Sequence, residues 1–324
     1  MTPLSFGTTR RQLLTGISAL GGLGAIGATR SLAQESIEIQ IGEGTVPDYT
    51  HFYVADDLGL WSKQGLKATS TMFPSGRIAL DALVSGQVKI ATCAETPVMF
   101  AAINEIPVRV IASVIKYEPF DLVVGPNIQS LDELKAKRIG YSQGTNAHYY
   151  LASLLRSKGL TAADVAAVNL PVANFVPSLV GGAIDAFVWS EPLITAALEQ
   201  GPFKRLRSEG LYSAYGCVVA MQSTIDSNPE MLIRAVRTLV AAHAVVKSAP
   251  EQAMDIISAK LKLERSSVPE LWKDLHFGVG INRASMTVDL VKEAEWAFAN
   301  NLVKPGAKMP SFDQVVTDSI VKRV

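Results

Sequence analysis

Cysteine is almost absent: the 324 residues hold only Cys93 and Cys217, each inside an apolar, strand-like run. No C-x-x-C metal or redox pattern exists, and two buried free thiols are expected in place of a disulfide, which an oxidising compartment permits without requiring. Histidine is nearly as scarce, and His51, His148, His243 and His276 fall at no metal-ligand spacing. Missing too are the G-x-S-x-G elbow, H-E-x-x-H, the phosphate-cradling G-x-x-x-x-G-K-S/T, and any acid pair with an identifiable role. Neither sign of charge is in excess, with 30 basic residues against 30 acidic ones, so there is no basic footprint for nucleic acid or anionic lipid. The apolar run near the N-terminus falls short of the ~20 residues of a membrane-spanning helix.

What is present is a composition 48% hydrophobic and 19% charged, that of a folded globular chain with length for about two domains. The start stands apart. Thr9-Arg10-Arg11-Gln12-Leu13-Leu14 is a twin-arginine pattern, followed by an apolar, glycine-interrupted run from Ile17 to Ala28 and by Ser31-Leu32-Ala33. Residues 1–33 therefore read as a Tat signal peptide cleaved after Ala33, and the mature chain as a periplasmic protein. Cleavage removes Arg10, Arg11 and Arg30 and no acid, which leaves a weakly acidic chain whose anion recognition must be local.

Strand and helix patterns then alternate. Ile37–Gly42 reads as a strand, His51–Lys63 as a helix, Leu66–Phe73 as a strand, Arg77–Ser85 as a helix and Val88–Thr92 as a strand. The rhythm restarts after an extended segment, 108–124. Ser130-Leu131-Asp132-Glu133 is a helix-capping pattern, and strands at 138–141, 165–170 and 184–189 interleave with helices at 146–158, 175–181 and 191–200. From Asn228 the pattern is helical: 229–247, 250–260, 266–275 and 286–300. Such alternation indicates α/β architecture with mostly parallel sheets. Two β-α-β runs indicate two lobes, joined where the chain crosses near Glu118 and near Val219. The predicted division is 34–118 with 220–324 as lobe 1 and 119–219 as lobe 2, the C-terminal helices packing on lobe 1.

In open parallel sheets a ligand binds beyond the carboxyl ends of the strands, at helix starts. Four junctions qualify. At Pro74-Ser75-Gly76-Arg77, Gly76 permits close backbone approach, the helix start offers free amides to an anion, and Arg77 offers a paired-donor guanidinium; an ordinary cap and a solvated arginine are the plainer alternatives. Gly144, Thr145 and Asn146 bring hydroxyl, amide and backbone donors to another helix start, which also carries His148, a packing residue or a ligand contact. Glu95-Thr96-Pro97 offers a hydroxyl, and an acid that either caps the helix or meets an ammonium group. Trp189-Ser190-Glu191-Pro192 repeats that arrangement, with Trp189 as pocket wall or core, and Tyr49 and Thr50 are further wall candidates.

Taken in order, Ala55-Asp56-Asp57-Leu58-Gly59-Leu60-Trp61-Ser62-Lys63-Gln64-Gly65-Leu66, Phe73-Pro74-Ser75-Gly76, Ala82-Leu83-Val84-Ser85-Gly86, Glu95-Thr96-Pro97, Leu131-Asp132-Glu133-Leu134-Lys135, Gly144-Thr145-Asn146-Ala147-His148-Tyr149 and Gly182-Ala183-Ile184-Asp185-Ala186 form a specific set. With that set the chain resembles the binding proteins of ABC importers for aliphatic sulfonates, taurine and nitrate, and most of all the aliphatic-sulfonate branch. Lys89, where an acid is usual, and Ser190-Glu191-Pro192, where Trp-Asp-Pro is usual, are departures. The resemblance implies a type II periplasmic-binding-protein fold, a monomer that closes on a small anionic organic ligand, and delivery to an inner-membrane permease with its cytoplasmic ATPase. It implies that Ser75, Gly76, Thr96, Thr145 and Asn146 line the cleft. No cofactor, nucleic acid or catalysis is expected. The alternatives are a receptor for an aromatic carboxylate or a pyrimidine-like vitamin precursor, with Glu95 or Glu191 as the acid, and an enzyme of the same fold from pyrimidine or menaquinone biosynthesis.

Overall fold

The computed structural model describes residues 36–324; the expected signal peptide, 1–33, lies outside them. The first half of the described chain runs β1 (Ile37–Gly44), α1 (Thr50–Asp57), α2 (Leu60–Lys63), β2 (Leu66–Phe73), α3 (Gly76–Val84), β3 (Ile90–Cys93), α4 (Glu95–Ile103) and β4 (Val108–Tyr117). It continues with β5 (Asp121–Val124), β6 (Arg138–Tyr141), α5 (Asn146–Ser157), β7 (Ala166–Asn169), α6 (Phe175–Val180), β8 (Ala186–Trp189), α7 (Leu193–Leu198) and β9 (Lys204–Leu206). Then come β10 (Ala214–Met221), α8 (Gln222–Ser227), α9 (Pro229–Ser248), α10 (Pro250–Leu261), α11 (Val268–Lys273), β11 (Phe277–Gly280) and α12 (Arg283–Ala299).

The strands form two mixed sheets flanked by helices: six strands in the order β11-β4-β10-β3-β1-β2, and five in the order β7-β6-β8-β5-β9. In the first, β1 runs parallel to β2 and β3, while β10 pairs antiparallel with β3 and β4. In the second, β6 is parallel to β7 and β8, and β5 is antiparallel to β8 and β9. Alternation explains β1, whose Ile39 and Ile41 are fully buried while Glu38 points outward. By contrast, β5 and β8 are buried along their whole length, as the apolar runs 122–124 and 186–189 require of strands covered on both faces, and the buried Asp121 that opens β5 is paired with Arg205. Phe175 from α6 stacks on Phe187 at 5.3 Å to cover one face of β8.

The chain passes between the sheets twice, at 118–120 from β4 to β5 and at 207–213 from β9 to β10. β10 is thus an inner strand of the first sheet, and the expected second boundary at residue 219 falls inside it. The two crossings touch: the Gly210 amide donates to Glu118 Oε2 at 2.9 Å, and the rings of Phe120 and Tyr212 lie nearly parallel at 6.2 Å. On the first sheet, α9 and α10 pack on α1, and α12 packs on α4. Cys93 and Cys217 face each other in register across β3 and β10 as buried free thiols. No helix among the described residues is long and apolar enough to cross a membrane.

Candidate ligand-binding cleft

One cavity collects strand ends and helix starts from both lobes. From the first lobe come Asp48 and Tyr49, on the turn after β1, Ser75, Gly76 and Arg77 at the start of α3, and Pro97 in α4. Tyr117 ends β4, Phe120 belongs to the first crossing, and Thr145, Asn146, Trp189 and Ser190 come from the second lobe. The space left is about 30 Å³, room for little more than ordered water, so the lobes stand closed on one another.

The helix starts are placed by small residues. At Gly44, the last residue of β1, a Cβ would stand 3.0 Å from the Gly76 amide nitrogen, so glycine there lets strand end and helix start meet backbone to backbone. The Gly44 amide donates to Thr92 Oγ1 at 3.0 Å, tying β1 to β3 at the same level. Ser75 caps α3 by accepting from the Ile78 amide at 3.4 Å. Across the cleft Thr145 precedes α5 with extended backbone, and its hydroxyl donates to the Ser142 carbonyl at 2.7 Å. Each helix leaves its first amides outside its own hydrogen-bond ladder, and its dipole adds a partial positive charge there.

Arg77 reaches from one lobe to the other. Its Nη1 donates to the Gln143 carbonyl at 2.8 Å, and its guanidinium passes 3.7 Å from where a Cβ of Gly144 would stand. Both residues also line an adjoining cavity of about 500 Å³. An exposed charge-assisted bond of this kind contributes about 1 kcal/mol to the closed form. Arg77→Ala should therefore weaken ligand binding roughly fivefold at unchanged thermal stability, by titration calorimetry; unchanged affinity would show that the bond carries nothing.

Other residues marked in the sequence stand elsewhere. Thr50 is buried and donates to the Pro47 carbonyl at 2.7 Å. Glu95 lies beneath the cleft floor, where the Tyr212 hydroxyl donates to one carboxylate oxygen and the Tyr215 amide to the other, at 2.9 Å. Thr96 is buried beside it. Burial raises the Glu95 carboxyl above the usual range, and raises Glu293 of α12 beside it further still. Glu191 accepts from the Thr195 amide at 3.0 Å and from Arg205 at 3.3 Å, facing a separate cavity of about 310 Å³. His148 is wedged between Tyr141 and Trp296, at 4.5 and 4.9 Å, where burial lowers it to about 4 and keeps it neutral.

Sequence reasoning passed over Asp48, Tyr117 and Phe120, and placed Ser190 only within its junction. Phe120 lies tilted against Trp189 at 6.2 Å and makes an aromatic wall with it. Asp48 is only 8% exposed, its Oδ1 has no hydrogen-bond partner, and burial pushes its carboxyl up to about 7 while Tyr117 pulls the other way. An acid directly after Pro47, on the turn that follows a strand, was the one available signal for it.

Two lobes joined by two crossings, with a cavity between opposed helix starts, are the arrangement of the periplasmic-binding-protein fold. Solved structures agree. The alkanesulfonate-binding protein from Xanthomonas axonopodis pv. citri bound to MOPS superposes with a TM-score of 0.78 at 20% identity, covering 87% of this chain and 99% of that one. The periplasmic aliphatic sulphonate binding protein from Escherichia coli gives 0.72 at 20% identity, covering 86% and 92%. The chain belongs to the NMT1/THI5-like family, whose profile matches residues 46–253. Among curated proteins, the taurine-binding periplasmic protein of Escherichia coli (strain K12) is 31% identical over 131 residues, 40% of this chain and 41% of that one.

Proposed function

We propose that this chain is the extracytoplasmic receptor of an ABC importer, holding the sulfonate or carboxylate head of a small organic anion between the starts of α3 and α5. The observation that carries this reading is that Ser75-Gly76 of one lobe and Thr145-Asn146 of the other line a single cavity. Oriented amides and two helix dipoles favour an anion there without a full opposing charge, which suits release to a permease as well as capture. Trp189 and Phe120 accept the organic part. Because about 30 Å³ is too small for such a ligand, capture needs the lobes to part at the two crossings and close again around it. The reading also takes residues 1–33 as a Tat signal peptide, the periplasm as the site of action, and an inner-membrane permease with its ATPase as partner. No bond is made or broken in the ligand.

A thermal-shift panel tests it: alkanesulfonates, taurine, aromatic sulfonates, aromatic carboxylates and nitrate, with a pyrimidine as the uncharged arm. At a hundred times Kd a true ligand stabilises by about 2.7 kcal/mol, a rise of roughly 5 °C. A rise with the pyrimidine and with none of the anions would overturn the anion reading.

A further inference from the structure

The lobes also meet outside the cleft, ring against ring. Trp296 of α12 is only 7% exposed and belongs to the first lobe, because Leu290, Ala294 and Ala297 of the same helix pack into that lobe's core with Met99 and Ala102 of α4. Its ring faces α5 of the second lobe, 4.9 Å from His148 and 5.2 Å from Tyr149, edge to face in both pairs. Tyr141, at the end of β6, lies 4.5 Å from His148, and Tyr149 reaches Tyr212 of the second crossing at 5.5 Å. Trp296, His148 and Tyr149 all stand outside the lining of the cavity between the helix starts.

Parting the lobes draws α5 away from α12 and gives these rings to water; closure buries them again. A contact made only in the closed form raises the closed fraction by one factor, whatever lies in the cleft, and apparent affinity scales with that fraction. The contact is also intolerant of charge. His148 Nδ1 is buried with no hydrogen-bond partner, so a second ring proton would find no acceptor between Tyr141 and Trp296. Burial lowers the imidazole to about 4 in the closed form, and water returns it toward its ordinary value of about 6.5 once the lobes part. Glu293 and Asp289 of α12 and Arg156 of α5 act on Tyr149 beside it, whereas His148 itself responds to burial.

We propose that Trp296 of one lobe, with His148 and Tyr149 of the other, is a latch that sets how tightly the protein holds any anion in the cleft without touching it, and that acid releases the latch by protonating His148. This rests on closure around an anion, as proposed above, and adds to it residues outside the site. Acid acts through closure: below the open-form value a proton binds the open protein more readily than the closed one, so affinity falls with pH.

The test is calorimetric titration of full-length mature protein with butane-1-sulfonate, benzenesulfonate and nitrate, anions that stay ionised throughout, at pH 7.5 and at pH 5. Because Trp296 also serves the core of its own lobe, the contact is broken from both sides: Trp296→Leu and His148→Ala should each weaken every probe that wild type binds by one common factor, roughly fivefold or more. The double variant should lose little beyond either single one, since a single contact is lost in all three. His148→Phe, which restores a ring, should recover most of the loss at pH 7.5. Between pH 7.5 and pH 5, wild type should weaken roughly fivefold more than His148→Phe, a comparison that cancels Asp48, Glu95 and Glu293. Factors that differ among the probes, additive losses in the double variant, or the same pH response in wild type and His148→Phe would each overturn the proposal and leave the anion reading standing. If wild type binds none of the three, the anion reading fails, and NMR titration of the His148 imidazole decides the latch alone: a value of about 5 or lower shows the ring shut against Trp296, and one near 6.5 shows that no latch forms.

Discussion

Gly76→Ala should lower the melting temperature by about 5 °C and weaken ligand binding at least tenfold, because the added methyl has no space to occupy. Its Cβ would stand 2.7 Å from the Cys93 Cα and 3.0 Å from the Thr92 carbonyl oxygen, both backbone atoms of β3. β3 is held between β1 and β10 and cannot yield. The start of α3 must withdraw instead, taking Ser75 and the first amides of the helix out of the cavity. Overpacking of this kind costs roughly 2 kcal/mol, near 5 °C for a chain of this size, and a tenfold loss of affinity is about 1.4 kcal/mol. Gly278→Ala is the control, since nothing stands within 4 Å of the built Cβ in β11. Calorimetry on the two variants separates a general glycine effect from a local one. Equal behaviour would disprove the close-packing argument.

The second large effect concerns pH. Burial raises four carboxyls: Glu43 to about 8, Asp48 to about 7, and Glu95 and Glu293 upward as a pair that shares one buried site. A group whose pKa is higher in the folded state binds more protons folded than unfolded, so its stabilisation is lost as pH rises through the folded value. Buried histidines act in the opposite sense. His51 is lowered to about 3 and His148 to about 4, and their stabilisation is lost as pH falls below the unfolded value of 6.5. From about pH 7 to 8 the histidines are largely neutral in both states, and the carboxyls dominate. Each pKa unit is about 1.4 kcal/mol, so the ligand-free protein should lose roughly 5 °C or more in melting temperature across that window. Glu43→Gln and Glu293→Gln should each reduce the loss. A flat profile would mean that these acids are ionised in the folded protein.

The sequence made the architecture legible because most of its elements have strong local signals. Strands with β-branched runs and helices stopped by Gly65, Gly86 and Gly159, all with positive φ, stand close to where the patterns place them. The helix read across His51–Lys63 is broken at Gly59, whose φ of +60° ends α1 and starts α2. β9 and β11 went unread because Lys204-Arg205-Leu206 and Phe277-Gly278-Val279-Gly280 carry no alternation, and their pairing at sheet edges is decided by neighbours distant in sequence. The chain's second passage was placed late for a related reason: Ala214–Met221 is uniformly apolar, and nothing local tells an inner strand of one sheet from that of the other.

The cleft divides in the same way. Ser75-Gly76 and Thr145-Asn146 were visible because capping residues after a strand are a local signature. The surroundings of Glu95 and Asp48 were not. Glu95 meets Tyr212 across 117 positions of sequence, and Asp48 is buried by Tyr117 and by the opposite lobe. Acids whose meaning depends on what closes over them carry no pattern within a window of a dozen residues.

Both passages between the lobes leave from β4 and β10, strands bonded side by side in one sheet. Suspension from two neighbouring inner strands gives the smaller lobe one easy swing and resists twisting or sliding. Under the import role proposed above, what the outer surface would present to a partner is the angle between the lobes. Solutes of unlike chemistry that shut the molecule to the same angle would look alike to a transporter docking on the outside, while one that lodged but propped the lobes ajar would be held without being handed on.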